Sequence, residues 1–400
     1  MFKTIDKPSV FAAALIAFWA LALATGIGTP KGWIADHHGI PIDGDYVGLY
    51  TAGEFALRGA PGAAYDAERH KAAQRQLRED PNGGFYPWPY PPSFLFVAAA
   101  LATMPYYLSM LTWVLTTFAA FAAALARITV SRRDLLLMLA TPAAWLNLYV
   151  GQNGALTAAL IGFGLVLLPA QPVAAGICIG LLSLKPHLGL LIPIALLAGG
   201  YFRAFAAAVL TVLALVISSV VVFGADPWLA MPDQLEQVTA LVKTTNLTEK
   251  IQSAFGLARS LGLSIECALW IQAAVVAASA GLIGWLWSRR TVSFDLKAAA
   301  LAAALTLASP YQFVYDLVIL TIAQAFLLRH FARTRADRID ICGLELANIL
   351  VFLFATTRVP LGIVGGMIVM ALILRHLRHG HRADPQLTAS RTATFPLAGA

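Results

Sequence analysis

Residues 81–126 and 135–184 of this chain contain no charged side chain. A helix spanning a bilayer takes about 20 mostly apolar residues, so each stretch is long enough to cross a membrane and fold back. A helix at the surface of a water-soluble domain needs a polar face, and neither stretch supplies one. Composition points the same way. Charged residues make up 12% of the 400 residues and hydrophobic ones 59%, against about 25% charged in an ordinary soluble domain. A soluble enzyme is therefore excluded, and the chain reads as an all-α polytopic membrane protein. The net charge of +7 is too dispersed for a nucleic-acid footprint. Cys178, Cys267 and Cys342 show no CxxC or Cys/His spacing, which excludes a disulfide framework and a zinc site.

Further apolar segments at 7–31, 186–200, 204–223, 267–287, 298–309, 311–328, 341–355 and 360–374 are candidate spans, the first read as an uncleaved helix. Two regions break the pattern. Region 32–92 contains stretches 46–58 and 64–79, both with helical periodicity and one apolar face, as expected of helices lying along a membrane surface. It closes on Tyr86-Pro87-Trp88-Pro89-Tyr90-Pro91-Pro92, stiff and extended because prolines alternate with aromatics. Region 224–266 is mixed in polarity, and its aromatic content predicts ordered structure.

Arginine placement predicts the orientation. With the N-terminus inside and 91–104 a half-length helix, the inner loops carry 17 of the 28 lysines and arginines and 7 of the 21 acids. The positive-inside rule favours this arrangement. It implies 12 crossings, both termini inside, region 32–92 as a first outer loop, region 224–266 as a second, and 376–400 as a cytoplasmic tail. The whole chain, 1–400, reads as one transmembrane domain.

Five polar interruptions then fall near the outer face: Asp43-Gly44-Asp45-Tyr46, the Tyr86–Pro92 segment, Gly151-Gln152-Asn153, Lys185-Pro186-His187, and Ser309-Pro310-Tyr311 followed by Asp316. Ionisable residues at such depth mark functional sites. Lys185 ends the longest uncharged stretch; it is read as a point charge for a lipid phosphate or as a snorkelling anchor. His187 is read as an interfacial histidine or as a member of the substrate site with a catalytic role. Asp45 is either a helix N-cap or a general base. Asp43 is its neighbour in a DxD pattern, which is common by chance. Gln152 and Asn153 close a turn or hydrogen-bond sugar hydroxyls, and Tyr86, Trp88 and Tyr90 are belt aromatics or a sugar-stacking platform. Asp316 is a second potential cap.

The order of these elements, from Asp45-Tyr46 through Tyr50, Ala52, Leu57, Gly59 and Tyr65-Asp66 to Tyr90-Pro91-Pro92, Gly151-Gln152-Asn153, Gly176, Lys185-Pro186, Ser253-Ala254-Phe255 and Ser309-Pro310, resembles glycosyltransferase family 87. This group of the GT-C superfamily includes polyprenol-phosphate-mannose-dependent α-mannosyltransferases, and the resemblance runs over about 10–328. It implies a GT-C-type bundle of about 12 transmembrane helices with outer-face amphipathic helices, in the plasma membrane. The implied activity is an inverting hexosyl transfer, with mannose the expected sugar, from a lipid-phosphate donor to a lipid-linked or envelope glycan acceptor, without a cofactor. The family's catalytic aspartate falls on Asp45, with Asp43 as competitor, and its lysine-proline element on Lys185-Pro186. Where some relatives place a histidine after the Ser-Pro break, this chain has Tyr311, Gln312 and Tyr315. The rival class is a transporter or flippase of lipid-linked saccharides. A flippase should show pseudo-symmetric broken helices, whereas here the polar residues gather in the first outer region.

Overall fold

The computed structural model describes residues 12–21, 34, 40–41, 44–244, 250–357 and 359–380. Among these, every named element is helical, and an antiparallel bridge pairs Ile251 with Phe313. Four helices are long and apolar enough to cross a membrane by length and composition: Tyr106–Ile128, Phe202–Phe223, Ile265–Ser288 and Val314–Thr334, the last opening with a 3-10 turn. Shorter apolar helices, among them Gly154–Leu167, Pro172–Leu184 and Pro186–Ala198, fill in between them.

At the centre stand Phe294–Ala308 and Val318–Thr334, which pack on each other. The first is an alanine-rich helix buried from Ala298 to Ala308, and its small side chains let neighbouring backbones approach closely. Phe202–Phe223 lies at the periphery and leaves Leu210, Ile217 and Val221 exposed; an apolar stripe of that size on a helix of spanning length faces hydrocarbon. This peripheral helix is held by Pro172–Leu181. A Cβ at Gly176 would collide with the Ala204 carbonyl oxygen, and one at Gly180 with the Ala208 carbonyl oxygen. The pair is thus a small-xxx-small contact.

Helix ends follow local chemistry. Ser131 and Ser264 cap their helices by accepting from the amides of Asp134 and Cys267, each at 3.1 Å. Asp66 does so at Ala67–Leu77, accepting from Glu68 and Arg69. Proline opens Pro142–Val150 and Pro172–Leu181, where its missing N–H costs nothing.

The first polar region forms two helices, Tyr46–Leu57 and Ala67–Leu77, joined by the 3-10 turn Pro61–Tyr65. They depart from the expectation of apolar-faced surface helices in two ways. Tyr46 through Gly53 are buried on all sides, because Tyr46–Leu57 packs against Leu95–Ala102 instead of lying on a surface. Ala67–Leu77 buries His70 and Gln74, so its inward face is polar. The half-length element after the proline run is a 3-10 turn, Pro92–Phe94, leading into Leu95–Ala102. The second polar region holds Asp226–Thr244 and Ala254–Ser260. Gly362–Gly380 continues through 376–380, so the helix runs into the stretch expected to be tail; 381–400 lies outside the described residues.

His70 ties the first region together. Its ring Nε2 sits 3.1 Å from the Gly48 carbonyl, which makes Nε2 the N–H donor, and burial pushes its pKa down to about 4. The folded protein therefore holds His70 neutral, whereas the unfolded chain protonates it below about pH 6.5. Its contribution is complete above that value and falls as pH drops towards 4, by about 3 kcal/mol in all. Thermal unfolding in detergent between pH 7 and 4 should show this loss, and a His70→Gln variant should show a shallower pH slope.

Candidate active site

The elements near one end of Val314–Thr334 enclose a cavity of about 290 Å³, close to the lower end of small-ligand pockets. Asp45, Gln152 and Lys185 line it, from segments far apart in the sequence, together with an aromatic wall that includes Tyr86, Tyr90 and Tyr311.

Asp45 stands immediately before Tyr46–Leu57, but its side chain caps nothing; its backbone is already helical. The capping alternative is therefore not realised. The carboxylate instead faces the side chain of Gln152; burial raises its pKa, opposed first by the Gln152 amide and then by the charges of Lys250 and Lys185. Gln152 works in both directions. Its Oε1 accepts from the Tyr90 hydroxyl at 3.2 Å, which leaves its amide N–H groups for Asp45.

The turn that carries Gln152 is built by the helix before it. Gly151 has φ of +67° and ends Pro142–Val150 in the left-handed conformation, which glycine adopts without a Cβ penalty. Asn147 donates to the Gln152 carbonyl at 3.1 Å and accepts from the Ala155 amide at 3.0 Å. Trp113 Nε1 donates to the Gly151 carbonyl at 3.0 Å. Asn153 lies behind the cavity wall, buried, with its side chain against the Tyr90 hydroxyl.

Lys185 sits between the 3-10 turns Leu182–Leu184 and Pro186–Gly189. The following proline holds its backbone out of the helical region. Its ammonium donates to Asp316 at 2.6 Å, with both side chains buried, and lies 5.0 Å from the centre of the Tyr315 ring. Lys185 is thus half of a buried ion pair, neither snorkelling nor unpartnered. Asp316 also accepts weakly from the Phe313 amide at 3.4 Å, so it combines its helix-opening role with the ion pair. His187 lines the cavity and its Nε2 has no hydrogen-bond partner.

Tyr86 and Tyr90 face the cavity, as do Pro87 and Pro89. Trp88 does not. It is fully buried, donates through Nε1 to the Tyr65 hydroxyl at 3.1 Å and stacks on Phe94 at 5.5 Å. It is core, neither belt nor platform, because the three-residue turn of an extended proline-rich segment sends it to a different side from its neighbours. Tyr46 contributes wall, but its hydroxyl is tied to Ser109 at 2.6 Å. Asp43 lies outside the described residues.

Several participants carried no signal strong enough to be found in the sequence. Gln74 reads the Tyr86 backbone twice, donating to its carbonyl at 2.6 Å and accepting from its amide at 2.9 Å. Leu235, Val238 and Thr239 of Asp226–Thr244 cover one side of the cavity, and Lys250 lines it too. Gln74 shares its helix with a second glutamine, Gln76, and nothing in the sequence singled it out. Among the described residues, no group of three His, Cys, Asp or Glu side chains is placed to hold a metal ion.

The family model for glycosyltransferase family 87 matches residues 88–310. The chain belongs to glycosyltransferase family 87. The matched segment takes in Tyr90, Gln152 and Lys185 and ends at the Ser309-Pro310 break, while Asp45 lies before it. Searches of curated proteins and of solved structures returned no significant match. The family makes the protein a glycosyltransferase, and its long apolar helices make it a membrane protein.

Proposed function

We propose that this family 87 glycosyltransferase transfers a hexose, mannose in our reading, from a polyprenyl-phosphate donor to a lipid-linked or envelope glycan on the outer face of the plasma membrane. The observation that carries the reading is the meeting of Asp45, Gln152 and Lys185 on one aromatic-walled cavity. The charge asymmetry of the loops supports an outer-face cavity in a chain of about 12 crossings, counting short and re-entrant segments.

The chemistry follows from what each partner lacks. A sugar hydroxyl is a weak nucleophile until its proton is taken, whereas a polyprenyl phosphate is a competent leaving group. Asp45 takes the acceptor proton as the acceptor oxygen bonds to the anomeric carbon. The bond from that carbon to the phosphate oxygen breaks, and its electron pair leaves on the phosphate. A carboxylate of raised pKa is the stronger base, and Gln152 aims it. Lys185 directs one N–H to Asp316 and offers the others towards the phosphate. Attack from the face opposite the phosphate inverts the anomeric carbon, so a β-linked donor gives an α-linked product. The tyrosine wall offers flat faces to the sugar.

The test is incubation of radiolabelled polyprenyl-phosphate mannose with right-side-out and inside-out membrane vesicles bearing the protein and lipid extract from its own source. Label should enter a glycan acceptor when donor and acceptor meet the outer face. Label that crosses the bilayer with no glycosidic product would instead fit a flippase.

A further inference from the structure

Four charges stand in or behind the cavity: Asp45, Lys185, Asp316 and Lys250. Lys185 is already balanced by Asp316 at 2.6 Å, and a buried pair of this kind is strongly resisted from separating. Its ammonium can offer N–H groups but brings no net positive charge. Lys250 differs. It is exposed, lines the cavity, and among the described residues has no ion-pair partner within salt-bridge distance. Its charge nevertheless reaches Asp45, where it favours the carboxylate form more than Lys185 does.

Its backbone is held in place. The next residue, Ile251, bridges Phe313; the Gln252 amide donates to the Gln312 carbonyl at 2.5 Å; and Ser253 Oγ donates to the Pro310 carbonyl at 2.8 Å. Three consecutive residues are thus zipped to the Ser-Pro break that carries Tyr311 and Phe313, both of which line the cavity. Lys250 projects a flexible cationic stem from a fixed base.

We propose that Lys250 is the cation that takes the phosphate of the lipid ligand, and that in doing so its charge is withdrawn from Asp45. The inference rests on the polyprenyl-phosphate reading above. A sugar phosphodiester carries one negative charge, and the phosphomonoester released carries up to two. A mobile, solvated ammonium can follow that growing charge, whereas a lysine fixed in an ion pair cannot. The same movement couples binding to base strength. In the empty site Lys250 stabilises ionised Asp45. Once phosphate neutralises Lys250, that support is withdrawn and Asp45 becomes more basic as the donor arrives. The other charged groups facing Asp45 are Lys185 and Asp316; His187 and the cavity phenols complete the titratable set.

The test uses the purified full chain in detergent, with farnesyl phosphate, farnesol and inorganic phosphate as probes in titration calorimetry. Lys250 is exposed, so its variants should fold. Lys250→Gln should weaken farnesyl phosphate roughly 10- to 100-fold, the loss of one charge-assisted hydrogen bond, with farnesol unchanged and Lys250→Arg recovering most of the affinity. Inorganic phosphate should compete only weakly; displacement as effective as by farnesyl phosphate would overturn the lipid assignment. In transfer assays, the acid limb of kcat/KM reports the free enzyme and that of kcat the loaded one. Lys250→Gln should move the first limb to higher pH, because Asp45 loses a neighbouring positive charge. Equal affinity for farnesyl phosphate, with that limb unmoved, would overturn the role of Lys250 while transfer itself proceeds. Binding of farnesyl phosphate through Lys250 without sugar transfer would overturn the transferase substrate and leave the site standing.

Discussion

Asp45→Asn loses about 10²- to 10⁴-fold of turnover, the usual contribution of a positioned general base, while donor binding is largely kept. The substitution preserves shape and the contact with Gln152 but removes the ability to take a proton. Two measurements check it: single-turnover transfer of labelled sugar, and donor affinity measured separately. In the parent enzyme, transfer should fail on acidification at a pH above the ordinary carboxylate range, because burial raises the pKa of Asp45 and the base is lost as it protonates. Near-normal transfer by the asparagine variant would remove Asp45 from the chemistry, and Asp43→Asn is then the variant to measure.

The second large effect is on stability. Lys185→Met leaves Asp316 buried without its cation, and Asp316→Leu leaves Lys185 buried without its anion. Each should cost about 3–5 kcal/mol, the penalty of an uncompensated buried charge. The double variant, Lys185→Met with Asp316→Leu, should recover most of that loss, because apolar residues of similar volume replace the pair. Thermal unfolding of all four proteins in one detergent gives the coupling energy directly. If the losses simply add in the double variant, the two side chains do not depend on each other.

Much of the site was legible because its residues are anomalies against an apolar background. Lys185, Gln152 and the tyrosines between prolines stand out wherever hydrocarbon-like sequence surrounds them, and the structure brings them to one cavity. Trp88 stood out equally and turned inward to Tyr65 and Phe94. Side-chain direction in an extended segment depends on backbone turn, which the alternation of prolines does not reveal. Lys250 was overlooked for the opposite reason. It lies in a polar stretch where a lysine is ordinary, and its importance arises from the pairing of its neighbours with Phe313 and Gln312.

The amino-acid sequence by itself determined the membrane class, the helical fold class and the two polar regions, because hydropathy acts over about 20 consecutive residues and needs no partner. The helical character within 46–57 and 67–77 was likewise local, the second start set by the cap at Asp66. What only the tertiary structure decided is who meets whom. It joined Lys185 to Asp316 across 131 residues of chain, turned Asp45 from a possible cap into a carboxylate facing Gln152 and Lys250, and buried Tyr46–Leu57 instead of laying it on a surface. The energy of a charge pair depends on separation and surrounding dielectric, and both quantities come into existence only when distant segments pack.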